Sequence, residues 1–300
     1  MNKLIQTVIF LAIVAYLLKG VDVSKIDFAI FSFWGVFWTT ISIVISQIVL
    51  SFRWMAMSGL NLKISLETII VSSTLNMLLP ARLGELSKAF YLKKFYGYSY
   101  HKSVSIIFIE RFFDVIVLFL LMCLWVYCYF SNEIVKNSVI VLSASIFLII
   151  IFFNSKRVLN MIKKIPVRIV KIYGQKIYKN INRLLKTPYT AFFYTILLWF
   201  FYLVSNIIFF KYSVDFNLDF KDILELFIFS TIALSVPLTP AGVGTFEGAI
   251  VVFLTKYGVD KTDALISATL YHILIFGIDL IMFYIFLVAK DIKIKDLVKK

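Results

Sequence analysis

Two short stretches of this chain set charged groups beside helix-breaking residues, inside otherwise apolar sequence. One is PARLGE, residues 80–85, with Pro80, Arg82, Gly84 and Glu85. The other is PLTPAGVGTFEGA, residues 237–249, with Pro237, Pro240, Gly242, Gly244 and Glu247. Proline ends an incoming helix, and glycine lets the chain turn sharply. At membrane depth such a break is tolerated only where protein or a watery cavity surrounds it. A half-helix starting there offers unpaired N–H groups and a positive dipole end, which together suit an anion. Arg82 adds a full charge at the first break, so a phosphate group is the occupant this physics favours. Glu85 and Glu247 have two readings: they orient such cations, or they cap the helices they begin.

A third stretch, IERFFD, carries Glu110, Arg111 and Asp114 within a long apolar run. A charge at the centre of a membrane helix costs about 2.5–3.5 kcal/mol on insertion scales, so these groups need partners or water. Neighbours one apart on a helix point in different directions. Arg111 is therefore expected to reach another element, with Glu85 as the named partner. The competing reading is an ion-pair network that only holds the fold. A later apolar run carries Tyr271, His272 and Asp279. His272 reads as a substrate contact, a proton carrier or a simple hydrogen-bonded histidine. Glu67 reads as a cap, a packing group or a functional one. The chain has two histidines and two cysteines, and Cys123 and Cys128 fall in one apolar run, where buried packing is expected. No HExxH pair, GxSxG elbow, P-loop or aspartate-rich magnesium motif is present, and no cofactor or metal is expected.

The elements that must position these groups follow from composition. The chain has 300 residues, 61% of them hydrophobic, with a mean hydropathy of +0.92. That is far above a globular norm of roughly 45–50% apolar, so the class is a polytopic membrane protein. Apolar runs predict six spans, at residues 4–18, 29–50, 104–130, 138–153, 189–210 and 264–289. The first lacks a small-residue cleavage site after it and is read as a retained span. Two further segments, 65–79 and 224–236, are too short to cross ~30 Å of hydrocarbon. Each is followed by one of the breaks and then a second short apolar arm, which predicts hairpins that enter and leave on one side.

The net charge of +14 fits loops facing anionic lipid, and no nucleic-acid partner is expected. Segment 154–188 holds ten Lys and Arg and no acid, which places it at the cytoplasm. Within it, Val170, Tyr173, Ile177, Ile181 and Leu184 recur at helical spacing. An amphipathic helix on the inner leaflet, touching anionic lipids, is predicted. Counting spans outward puts both termini inside and makes the two hairpins enter from opposite faces. Their tips match as Pro80-Ala81-x-x-Gly84 and Pro240-Ala241-x-x-Gly244, each followed by a glutamate. The expected fold is an all-α integral membrane protein: six full spans plus two re-entrant broken-helix hairpins in an inverted repeat. It forms one domain over 1–300, with repeat halves at about 1–130 and 138–289. An offset of 161 (272 − 111) then sets His272 opposite Arg111.

PARLGELSKAFYL, the IERFFD helix and PLTPAGVGTFEGAIVVFL together resemble the flippase-like membrane domain family, the membrane part of lysylphosphatidylglycerol synthases. The resemblance covers nearly the whole chain. It implies a plasma-membrane protein that moves, or helps move, a lipid with an anionic, aminoacylated or lipid-linked headgroup. It also implies that lysyl transfer belongs to a separate soluble domain, which this sequence is expected to lack. His272 stands where such proteins often place arginine. Arg82, Glu85, Glu110, Arg111, Asp114, Glu247 and His272 are the expected substrate-binding residues. The alternatives are a membrane enzyme acting on lipid phosphate through Glu110, Asp114 or His272, and an accessory subunit of glycolipid assembly. A homo-oligomer or a separate synthase partner is compatible with either.

Overall fold

The computed structural model describes residues 31–78, 84–129, 168–214, 216–235 and 239–291. The expected spans at 4–18 and 138–153, the tip residues Pro80, Arg82 and Pro237, and residues 292–300 lie outside the described residues. Everything regular that is described is helical. In chain order the helices are α1 (Phe33–Ser58), α2 (Leu62–Leu78), α3 (Gly84–Tyr96), α4 (Tyr100–Tyr129), α5 (Arg168–Leu184) and α6 (Tyr189–Ile207). A π-helical turn (Ile208–Ser213) extends α6. Then come α7 (Phe220–Ser235), a 3-10 turn (Pro240–Gly242), α8 (Thr245–Lys256) and α9 (Lys261–Lys290). By length and composition, three of these segments can cross a membrane: Phe33–Ser58, Tyr189–Ser213 and Lys261–Lys290.

The central contact is between α1 and α6. Gly35, Thr39, Ser42, Ser46 and Arg53 are buried along one face of α1, at spacings of three, four and seven. Small residues on that face let two backbones approach closely where apolar burial gives no preference over lipid. Ser42 Oγ donates to Phe201 O at 3.1 Å. A Cβ on Gly35 would lie 2.5 Å from Ser213 Cα. Position 35 meets 213, 42 meets 201 and 53 meets 195, so α1 and α6 run antiparallel.

Two hairpins flank this pair. The arms of the first are α2 and α3, with 17 and 13 residues; those of the second are α7 and α8, with 16 and 12. At 1.5 Å per residue the longest arm reaches about 26 Å, short of a full crossing. The packing is reciprocal: α2 lies against α9, and α7 lies against α4. Val71 and Phe283 share one buried cluster, and Val117 and Phe227 share another. Large apolar side chains cover the outward faces, including Phe33, Trp34, Phe37 and Trp38 at the start of α1, as a lipid-facing surface requires.

Some boundaries differ from the sequence reading. The span expected over 29–50 runs on to Ser58, because the charge at Arg53 is neutralised inside the protein rather than marking a membrane edge. The amphipathic helix is present as α5. Tyr178 is buried, Ile181 and Leu184 pack against the buried cluster around Trp54 and Ile106, and Tyr173 is exposed.

Candidate functional site

The first break brings the expected residues into contact. Gly84 opens α3, and a Cβ there would lie 2.2 Å from Asn76 N and 2.5 Å from the Leu75 carbonyl carbon. Only glycine permits this approach of the two arms. Ser72 Oγ donates to Gly84 O at 3.1 Å and fastens the crossing. The close packing sets Glu85, one residue on, beside α4. Arg111 Nη2 lies 3.3 Å from Glu85 Oε1 and 3.2 Å from Asp114 Oδ2. Asn76 Nδ2 also donates to Glu85, at 3.4 Å.

Two residues that sequence reasoning passed over complete the cluster. Arg53 of α1 is wholly buried; its Nε donates to Glu110 at 3.3 Å and its Nη1 to Asp114 at 2.6 Å. The same Nη1 reaches Thr195 Oγ1 on α6 at 3.4 Å. Lys88 of α3, also buried, donates to Glu110 at 2.7 Å and stands over the Trp54 ring at 4.9 Å. Trp199 Nε1 donates to Asp114 at 3.1 Å. The cluster thus holds Arg53, Lys88 and Arg111 against Glu85, Glu110 and Asp114, a balanced set of charges drawn from α1, α3 and α4. Balance is what makes it tolerable, since an uncompensated buried charge costs several kcal/mol. Arg111 differs from its fellows. Its side chain is 40% exposed, against 0% for Arg53 and 3% for Lys88, and its buried Nε has no hydrogen-bond partner among the described residues.

The second break is built differently. Ala241, Gly242 and Gly244 all have positive φ (57°, 76° and 85°), a left-handed path into α8. Glu247 folds back on this turn, and Gly244 N donates to its Oε2 at 2.7 Å. Glu247 is thus the cap of its own helix. Its other oxygen lies 2.6 Å from His272 Nδ1 on α9. His272 is buried between Phe246 and Phe276, and its Nε2 has no partner among the described residues. The tip turn packs against α2 of the first hairpin. Asp279 is buried on α9 where its backbone carbonyl accepts from Thr74 Oγ1 at 3.2 Å.

Glu67 anchors the open end of the first hairpin. It accepts from Tyr91 at 3.0 Å and from Tyr96, and pairs with Lys290 at 2.8 Å. Glu225 does the same for the second, pairing with Lys256 at 3.1 Å and accepting from Tyr257 at 3.5 Å. Among the described residues no group of three His, Cys, Asp or Glu is placed to hold a metal ion.

Comparison with known proteins now bears on this architecture. The profile described as "Lysylphosphatidylglycerol synthase TM region" matches residues 3–282. The chain belongs to that family. A relative of this chain is UPF0104 membrane protein MJ1078 of Methanocaldococcus jannaschii. It is 29% identical over 233 residues, which is 70% of this chain and 93% of the relative. No solved structure matches the chain. Family membership makes this a membrane protein. It also bears on both breaks and the charged helix α4, which all lie inside the matched range.

Proposed function

We propose that this protein is a membrane lipid translocator that handles an anionic, aminoacylated or lipid-linked headgroup. The reading rests on one repeated arrangement. In each half, a glutamate beginning the second hairpin arm pairs with a cationic or titratable group on the long helix that follows: Glu85 with Arg111, and Glu247 with His272. In each case one nitrogen of that group is buried and unpartnered among the described residues. A phosphate oxygen is the natural acceptor for Arg111 Nε–H, and a bound headgroup would compete with Glu85 and Asp114 for the guanidinium. An aminoacylated lipid would bring its own ammonium group to the carboxylate so released.

The antiparallel α1–α6 pair and the reciprocal α2–α9 and α7–α4 packing support an inverted repeat, the layout in which one site is served from either face. The acyl or polyprenyl chains would stay in the bilayer while the headgroup crosses.

Dithionite quenching of fluorescent lipids in proteoliposomes tests this. The wild-type protein should move phosphatidylglycerol or its lysyl ester faster than protein-free vesicles do. Arg111→Gln should slow movement by roughly 10- to 150-fold, the loss of a charge-assisted hydrogen bond of about 1.5–3 kcal/mol. Rates equal to protein-free vesicles for phosphatidylglycerol, its lysyl ester and a polyprenyl phosphate would remove the proposal. Product formed from any of them in detergent would favour the enzymatic alternative.

A further inference from the structure

A second charged site lies at the opposite end of α4 from its apolar run. A cleft of about 540 Å³ opens between the end of α1, the start of α6 and the end of α5. Its floor is apolar, with Met57, Ile109 and Phe113 all buried. Its rim carries Lys102 and Arg183, and no carboxylate lines it among the described residues. Neither cation forms an ion pair among the described residues; Lys102 stands 5.6 Å over the Tyr98 ring. This contrasts with the balanced cluster around Arg53.

The helix ends reinforce the sign. Thr190 and Ala191, in the first turn of α6, line the cleft, and Pro188 gives that helix no side-chain cap. Its first amides therefore present unpaired N–H groups on the positive end of the helix dipole. The carbonyl end of α1 is covered, since Tyr98 Oη donates to Ser58 O at 2.9 Å. Burial holds the Tyr98 phenol above its ordinary value, and the nearby Arg183 acts the other way. The phenol thus remains a donor at neutral pH. Cations, amides and hydroxyls surround an apolar floor, at the end of the bundle that the basic segment places at the cytoplasm.

We propose that this cleft binds the phosphate of an anionic phospholipid of the inner leaflet, with an acyl chain resting on the floor formed by Met57, Ile109 and Phe113. The site shares no residue with the Arg111 cluster and does not require that the protein move lipid. A phospholipid is favoured over free phosphate because the floor supplies apolar contact that inorganic phosphate cannot use.

The test places a reporter at Thr187, an exposed residue on the rim. Thr187→Cys is made in a Cys123→Ser/Cys128→Ser background, and maleimide labelling is followed in neutral-lipid nanodiscs. Short-chain phosphatidylglycerol should protect the cysteine. Short-chain phosphatidylcholine, whose choline cation meets like charge at Lys102 and Arg183, and inorganic phosphate, which lacks the apolar contact, should each protect at least about tenfold less. Adding Lys102→Gln and Arg183→Gln should abolish protection. Arg111→Gln should leave protection intact even where it stops transport, so the two readings fail separately. Equal protection by inorganic phosphate would overturn the lipid assignment. Equal protection by phosphatidylcholine would overturn the preference for an anionic lipid, and no protection by phosphatidylglycerol would remove the site.

Discussion

At the scale of single residues, Arg53 and Arg111 share partners but not surroundings. Arg53 is sealed between Glu110, Asp114 and Thr195, whereas Arg111 reaches an accessible edge of the same cluster. Removing one member of a buried ion pair costs about 3–5 kcal/mol, because its partner is left charged and dry. Arg53→Gln should therefore lower stability by that amount, read as the unfolding equilibrium in detergent micelles. The double variant Arg53→Gln/Glu110→Gln restores charge balance and should recover about 1–3 kcal/mol of the summed losses, the coupling expected of neighbours. Strict additivity would show that the pair is not energetically joined. Arg111→Gln should leave stability within about 1 kcal/mol of wild type, as its exposure allows water to replace the lost contacts. Glu110, Arg111 and Asp114 were legible in the sequence because charge in the middle of an apolar run demands a partner. Arg53 was not, because it stands at the expected end of a span, where arginine ordinarily reads as an interfacial anchor. The usable signal was the face Gly35, Thr39, Ser42, Ser46, which points to a close helix contact and has Arg53 on its continuation. Lys88 was hidden among the lysines of LSKAFYLKK.

At the scale of elements, each hairpin depends on glycine for its own reason. Gly84 is needed for proximity, with the other arm's backbone 2.2 Å from where a Cβ would stand. Gly244 is needed for conformation, at φ 85°. Gly84→Ala should force the arms apart, pull Glu85 from Arg111 and lose both folded yield and transport. Gly277, inside α9, has open space around its Cβ position, so Gly277→Ala should be tolerated or slightly stabilising, by up to about 1 kcal/mol. The melting temperatures of the two variants in one detergent check the contrast. Similar losses in both would show that glycine matters here for helix flexibility rather than for arm contact. The hairpins were visible in the sequence from arm length and breakers. Their edges were less so: α2 and α7 begin at Leu62 and Phe220, earlier than the apolar runs, because helices start at their caps and not where hydrophobicity rises. That Glu247 caps its own helix and meets His272, while Glu85 meets Arg111, was beyond the sequence. Both follow a Pro-Ala-x-x-Gly motif, and only the path of the backbone decides which atoms the carboxylate meets.

At the scale of the molecule, the two halves can be tested against each other through one matched pair of positions. Lys63 and Lys221 are each the second residue of a hairpin's first arm, and both are exposed. Glu67 and Glu225, the sixth residues of the same arms, tie down the open ends of the two hairpins. The antiparallel α1–α6 pair carries these arms in opposite directions: α2 follows the end of α1, and α7 follows the end of α6. On the proposed topology, which sets the basic segment 154–188 at the cytoplasm, α6 would start there, α7 would begin outside and α2 inside. In intact cells, a membrane-impermeant maleimide should label Lys221→Cys and leave Lys63→Cys unlabelled until the membrane is permeabilised. Exposed lysines at helix starts carry little of the fold, so both variants should keep near wild-type abundance. Labelling of both from the same side would contradict opposed hairpins, whatever the internal likeness of their sequences. The contact between the second tip and α2 would then join two hairpins entering from one face, and no site could be reached alternately from both.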